Sequence, residues 1–392
     1  MPMYENTSID NYAPLLDGRE LEYVAQAIKS GWVSYGGQYV KEFEASVAQT
    51  FGCADAVTVA SGTCALQLAF ELAGELDTEI LLPALTFAAP ASAAVRAGMH
   101  PVFIDLNPKT WQVDDELLAA FLEERCVYRD GHVVNTTSGR RLSSICLVHL
   151  WGDVARLDRI HALARKWNLM VIHDAAQCLG ARYKGLPLAA AVPDDQADQI
   201  IFTTSFNANK IVTTGAGGAL IAKSQSLCRK ARHISSTAKA DTMSFFHDYY
   251  GLNFRMSNIN AAIGVAQMEM LLNRIHRKQR LHEYYAVSIR KRMNGVQLAQ
   301  RTPESTGNCW INCIALPQPS RPVIEKLVAQ QIMARPVWIP LPQLPVYARF
   351  EYFQRDAFAT HLHEHAIMLP SGPGMTEAQV DRVVSALEEA SK

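Results

Sequence analysis

Apolar strands and helical stretches alternate through much of this chain, and that rhythm restricts the fold more than any other feature. Residues 56–60, AVTVA, spell a short buried strand that breaks at Ser61-Gly62-Thr63 and continues as the helical run CALQLAFELAG, stopped by Gly74. Strand EILLPA, helix APASAAVRAG and strand HPVFID follow. Further on come strand SSICLVHL, a helix from about Leu157 with Ile160, Leu163, Ala164 and Trp167 on one face, and strand LMVIHDAAQ. Strands this apolar must be covered on both faces. The expected fold class is therefore α/β, a mostly parallel sheet sandwiched by helices.

The flanks are organised differently. Residues 19–30 carry Leu21, Val24, Ala25 and Ile28, the stripe of an amphipathic helix, and a loop with Gly31, Gly36 and Gly37 leads to a second helix from about Val40 to Phe51. Residues 124–141, including DGHVVNTTSGRR, read as an excursion from the core, a hairpin in outline. From about residue 260 long charged helices fill 257–293, and short strands and helices run to the end. This predicts a large domain over 1–260 and a smaller C-terminal α/β domain over 261–392.

Composition excludes several classes of function. Of 392 residues, 49% are hydrophobic and 19% charged, with a formal net charge of −1, so a large core is expected and a nucleic-acid or acidic-membrane partner is not. The opening MPMYENTSID lacks an apolar leader core. Residues 80–104 are interrupted by Pro83, Pro90, Arg96 and Pro101, which argues against a membrane span. The eight cysteines show no paired pattern, and Cys309 and Cys313 lack a second pair at zinc spacing. A reduced, cytoplasmic protein without a metal is expected.

Three places could carry chemistry. In TTSFNANKIVTTGAGGALIA, residues 203–222, Lys210 stands between a Ser-Phe pair and a Gly-rich turn that leads into an apolar run. A desolvated lysine has a lowered pKa and can form a Schiff base with an aldehyde cofactor, although a surface lysine between two strands would read the same way. Asp174 ends the apolar strand MVIHD, at the edge where parallel sheets carry their functional groups. A carboxylate there needs a cation or donors, such as a protonated pyridine nitrogen, unless it caps the next turn. Ser61-Gly62-Thr63, at a strand-to-helix turn, offers N–H groups to a phosphate, although Ser and Thr are ordinary helix caps as well. GAGG at 215–218 lacks dinucleotide spacing and precedes a strand, so it reads as a tight turn positioning Lys210.

The order of these features resembles the DegT/DnrJ/StrS family of PLP-dependent nucleotide-sugar aminotransferases, a branch of the fold-type I aminotransferases. The matching text covers nearly the whole chain: GWVSYGGQYVKEFE, ASGTCALQLAF, LLPALTFAAPASA, VHLWGDVARLDRIHALARKWNLMVIHDAAQCLGARYKG, SFNANKIVTTGAGGAL, GLNFRMSNINAAIGVAQMEML and MLPSGPGMTEAQVDRVV. The resemblance implies that Lys210 holds PLP and later moves a proton between cofactor and sugar carbon. It implies that Asp174 keeps the pyridine nitrogen protonated, Gln177 bonds the phenolic oxygen and Phe87 stacks on the ring. Gly62, Thr63, Cys64 and Ser205 would bind phosphate, and Asn253 would reach the cofactor of a neighbouring subunit, which requires a homodimer. Trp32, Ser34 and Arg255 are substrate candidates that would equally serve as structural residues.

The implied reaction moves an amino group from L-glutamate to a nucleotide-linked 4-keto-6-deoxy sugar, giving a 4-amino sugar for surface glycan or nonulosonic acid synthesis. DGHVVNTTSGRR and STAKADTMSFFHDYYGLNFRMSN are closest to members acting on UDP-4-keto-6-deoxy-N-acetylhexosamines. GDP- or dTDP-linked keto-sugar aminotransferases and a PLP-dependent sugar dehydratase are the alternatives, and dehydratases carry histidine where this chain has Lys210. A cofactor-free regulatory protein of the same fold would have no use for Lys210, Asp174 and Gln177 together. The chain departs from the family at Ala216, where glutamate is common, and at Pro342 and Gln343, where Pro-Leu-His is usual. His361, His363 and His365 would share a face on a strand but diverge on a helix, which their surroundings favour. His173 alternates away from Asp174 and is expected to be structural.

Overall fold

The computed structural model describes residues 8–241 and 243–392. Residues 1–7, read above for the lack of an apolar leader, and Thr242 lie outside the described residues. The main sheet and its hairpin take β1 (Ala56–Val59), β2 (Glu79–Pro83), β3 (His100–Ile104), β4 (Cys126–Arg129), β5 (His132–Asn135), β6 (Arg141–Val148), β7 (Met170–Asp174), β8 (Ile200–Ser205) and β9 (Gly218–Ile221). A small antiparallel sheet follows, made of β10 (Gln297–Leu298), β11 (Cys313–Ala315), β12 (Arg335–Pro336) and β14 (Ala366–Met368). Between these last two, β13 (Tyr352–Phe353) leaves the small domain and pairs in parallel with β3.

The main sheet has the order β1-β9-β8-β7-β6-β2-β3-β13. Strand β9 runs antiparallel to β1 and β8, and the other neighbours on this path are parallel. The excursion at 124–141 is the hairpin β4–β5, tied to β6. Alternate strand residues serve opposite layers, as the period of two requires: Ile145 and Val171 face one core, Cys146 and Ile172 the other. Helices α2 (Gln38–Phe51), α5 (Asp115–Arg125), α6 (Leu157–Trp167) and α8 (Asn258–Glu269) cover the first layer through Phe43, Phe121, Ile160 and Ala262. Helices α3 (Gly62–Ala73), α4 (Ala89–Arg96) and α7 (Gln225–Ser235) cover the second through Leu68, Ala93 and Cys228.

A third core belongs to the small domain, where Tyr285 and Ile289 of α9 (Leu271–Arg292) meet Leu327 of α10 (Ser320–Ala329) and Val380 of α12 (Glu377–Ala390). The first turns of α9, with Leu271 and Ile275, pack instead into the large domain. On this packing we propose that the division expected at residue 260 falls inside α9, because α8 is wholly large-domain in its contacts.

Helix α1 (Glu20–Lys29) departs from its apparent stripe. Glu20, Tyr23 and Ala27 are buried, whereas Leu21 is 84% and Ile28 56% exposed. The inward face is held by polar contacts: Tyr23 donates to Glu269 at 2.6 Å, and Glu20 accepts from Gln267. Of the apolar stripe, Leu21 and Ile28 point outward, while Val24 packs partly against the large-domain core. No helix among the described residues is long and apolar enough to cross a membrane.

Candidate active site

Strands β7 and β8 run in parallel and end together, so Asp174 and Ser205 arrive at the same rim of the sheet. The start of α3 comes to that rim from β1. A Cβ added at Gly62 would lie 2.7 Å from the Ser205 Cβ, and one at Gly218 would lie 2.5 Å from the Ser61 carbonyl carbon. Only glycine permits both approaches. A cavity of about 410 Å³ elsewhere lies between the domains, but the one at this rim, about 510 Å³, collects the candidate residues.

Gly62, Thr63, Phe87, Asp174, Gln177, Ser205 and Lys210 all line it. Burial lowers the Lys210 pKa to about 8, against the pull of Asp174 in the other direction. The side chain keeps some exposed area because it opens on the cavity, but protein surrounds the amine. Burial likewise raises the Asp174 pKa, opposed by the Ala176 N–H and by Lys210. Asp174 Oδ1 accepts from Ala176 N at 3.0 Å, and Oδ2 has no donor among the described residues. Gln177 accepts the Trp151 N–H through Oε1 at 2.8 Å, which leaves its Nε2 free to donate.

At the helix start, Ser61 Oγ caps the Cys64 N–H at 3.1 Å. The Gly62 and Thr63 N–H groups have no acceptor among the described residues, as the first amides of a helix must unless a cap or ligand supplies one. Cys64 stands apart from the rest of the expected phosphate set. Its amide is taken by Ser61, its thiol lies 3.2 Å from the Ser61 hydroxyl, and it does not line the cavity. Thr86, which also lines the cavity, carries a buried hydroxyl without a partner among the described residues, beside a Phe87 side chain that is 60% exposed.

Trp32, Ser34, Asn253 and Arg255 do not line this cavity. They form a second cluster. Asn258 donates to the Trp32 carbonyl at 2.6 Å and to the Ser34 carbonyl at 2.8 Å. Asn253 Oδ1 accepts two bonds from Arg255, whose guanidinium sits 3.5 Å from the Tyr35 ring centroid. Within one chain these four therefore have structural partners. Gln343 donates to Thr360 at 2.7 Å, and neither it nor Pro342 reaches the cavity. Ala216 does.

His173 turns away from the cavity, stacks on Phe202 at 4.4 Å, and bonds His149 and His161 at 3.1 and 3.0 Å. Burial keeps all three imidazoles below their ordinary pKa. His361, His363 and His365 lie on helix α11 (Phe358–His365), where His363 and His365 bond the Val337 and Leu316 carbonyls. Among the described residues no group of three or more His, Cys, Asp or Glu side chains could hold a metal ion.

Six further cavity residues, from the N-terminal segment and the small domain, are not among the sequence candidates: Asn11, Trp310, Ile311, Arg335, Trp338 and Met368. The Arg335 side chain has no ion-pair or hydrogen-bond partner among the described residues, although its backbone pairs with Met368 in the small sheet.

Residues 14–388 match the family model described as the DegT/DnrJ/EryC1/StrS aminotransferase family. EpsN of Bacillus subtilis (strain 168), named as a candidate pyridoxal phosphate-dependent aminotransferase, is 31% identical over 95% of this chain and 93% of its own length. The GDP-perosamine synthase of Escherichia coli O157:H7 is 31% identical over 96% of this chain and 97% of its own. The crystal structure of DesI with its TDP-sugar product superposes with a TM-score of 0.84 at 25% identity, covering 99% of this chain and 94% of DesI.

Proposed function

Because the chain belongs to the DegT/DnrJ/EryC1/StrS aminotransferase family, we propose that it uses PLP to move an amino group from L-glutamate to a nucleotide-linked 4-keto-6-deoxy sugar. The fold is that of the fold-type I aminotransferases. One observation carries the reading: the buried, low-pKa Lys210 shares a cavity with a buried Asp174 and with uncommitted donors on three sides.

That donor set suits PLP. The free Gly62 and Thr63 N–H groups and Ser205 would take its phosphate, the open Oδ2 of Asp174 its ring N–H, and Gln177 Nε2 its phenolic oxygen. Phe87 offers an exposed ring face for stacking, and the orphaned Thr86 hydroxyl would gain a partner. When bound, PLP supplies an aldehyde carbon that accepts amino groups and a protonated ring that draws off electrons. Lys210 Nζ, neutral in an appreciable fraction near pH 8, would hold that carbon and then carry a proton to and from the substrate carbon. Arg335, unpaired in the same cavity, favours an anionic donor such as glutamate. The nucleotide is the less determined part. The likeness to GDP-perosamine synthase supports a GDP sugar, and the hairpin segment DGHVVNTTSGRR supports a UDP-N-acetylhexosamine.

The test is a visible absorption spectrum of the purified protein with PLP, before and after L-glutamate, followed by a screen of GDP-, UDP- and dTDP-linked 4-keto-6-deoxy sugars. A visible band that glutamate bleaches, and one keto sugar restores, is the expected result. No band with PLP would overturn the reading.

We place the enzyme in the cytoplasm as a homodimer. A second copy would cover the apolar face of α1, where Leu21, Ile28 and the 62%-exposed Trp32 stand outward, next to the Asn253–Arg255 cluster. Replacing both Leu21 and Ile28 by glutamate is expected to convert the dimer to monomer in sedimentation and to cut turnover with it. An unchanged dimer would remove α1 from the interface.

A further inference from the structure

Lys210 is held from outside its own domain. Trp310, three residues before β11 in the small domain, is 2% exposed and touches the lysine segment in two ways. Its Nε1–H donates to the Asn209 carbonyl at 2.7 Å, at the peptide that joins Asn209 to Lys210. Its ring centroid lies 4.1 Å from Lys210 Nζ, within the range where an ammonium is attracted to an indole face. One rigid side chain thus meets both the backbone before the lysine and the amine at its tip.

The indole is braced from behind. Tyr12, in the segment before α1, lies 6.1 Å away centroid to centroid. Lys278 of α9 sits 5.1 Å over the Tyr12 ring and donates to the Ser371 carbonyl. A tryptophan serving only as core filler would need neither the amine on its face nor a bond to that particular carbonyl.

We propose that Trp310 is a positioning residue for Lys210: its N–H fixes the Asn209–Lys210 peptide, and its face holds Nζ at the cavity wall and favours its protonated form. This rests on Lys210 being the reactive amine of the proposed function. The ionisable group acting on that amine is Asp174 from β7, and Arg335 from β12 lines the same cavity. Tyr12 and Lys278 lie behind the indole. Burial opposes the protonated form, and Asp174 and the indole favour it.

The experiment uses full-length wild type, Trp310→Phe and Trp310→Met, since methionine fills space without a ring face. Acetylation of Lys210 by acetic anhydride is followed by peptide mass spectrometry across pH, without added PLP, and turnover is measured with PLP. Wild type should titrate near 8. Trp310→Met should lower that midpoint by about one unit, and Trp310→Phe by less, because a benzene face remains. Both lose the Asn209 bond, so kcat should fall about tenfold to a hundredfold, with KM for the keto sugar within about twofold.

An unmoved midpoint in Trp310→Met overturns the proposal. So does a loss of turnover in the milder Trp310→Phe that merely parallels a loss of folded protein on thermal unfolding. Colour with PLP together with an unmoved midpoint would defeat this inference alone. A shifted midpoint in a protein that never colours with PLP would defeat the aminotransferase reading and leave the contact standing.

Discussion

Lys210→Ala is expected to abolish the visible band formed with PLP and to lower turnover by at least about 10⁴-fold, since nucleophile and acid–base group are removed together. Lys210→Arg should fare no better. It keeps a cation on the Trp310 face, but arginine does not release its proton to become a nucleophile. The fold should survive either change, and stability shows why. The folded-state pKa of about 8 lies below the ordinary lysine value, so the unfolded chain binds the proton more tightly. The buried ammonium therefore opposes folding fully below about pH 8, and that cost fades as pH rises toward the ordinary lysine value. Wild-type stability should climb through that window in denaturant titrations, and Lys210→Ala should show a shallower climb, the remainder coming from the buried Lys278, whose pKa burial lowers to about 7, and should be no less stable at pH 7. A variant that is dead but at least as stable marks a residue kept for chemistry at the expense of the fold. Full activity in Lys210→Ala would end the mechanism.

Much of this was legible in the sequence because the fold delivers it locally. Asp174 and Gln177 follow one apolar strand, Ser205 and Lys210 follow the next, and the parallel pairing of β7 with β8 brings both ends to one rim. Gly62 and Thr63 are readable for the same reason, since a strand-to-helix turn in such a sheet opens on that rim. Cys64 differs from its two neighbours in having its amide capped by Ser61, a geometric detail that composition does not show. Trp310, Arg335, Trp338 and Asn11 could not be read, because contacts across the two domains bring them to the cavity and no spacing encodes such a meeting. Helix α1 misled in a different way. Its stripe of Leu21 and Ile28 has the period of a core-facing helix, but the buried face is Glu20, Tyr23 and Ala27, held by polar bonds to α8. Periodicity reports that a face is apolar and not whether the core or a second chain covers it.

Asp174→Asn should separate cofactor capture from catalysis. Asparagine has the same shape and its carbonyl oxygen can still accept the Ala176 N–H, so the end of β7 and the cavity should be unchanged. What is lost is the negative charge. Lys210 remains, so the protein should still colour with PLP, in contrast to Lys210→Ala. Without a carboxylate to keep the ring nitrogen protonated, the electron demand that the reaction depends on weakens, and turnover should fall by about 10³-fold while the band persists. The Lys210 midpoint should also move down from about 8, because Asp174 is the charge that opposes its desolvation. Asp174→Ala adds a separate fault, leaving the Ala176 N–H without its acceptor, so it should be less stable than Asp174→Asn as well as inactive. The pair of variants distinguishes a carboxylate that supports chemistry from one that only ties a turn. If Asp174→Asn kept near-wild-type turnover and only Asp174→Ala failed, Asp174 would be a turn cap, and the proton on the ring nitrogen would have to be held by some other group in the cavity.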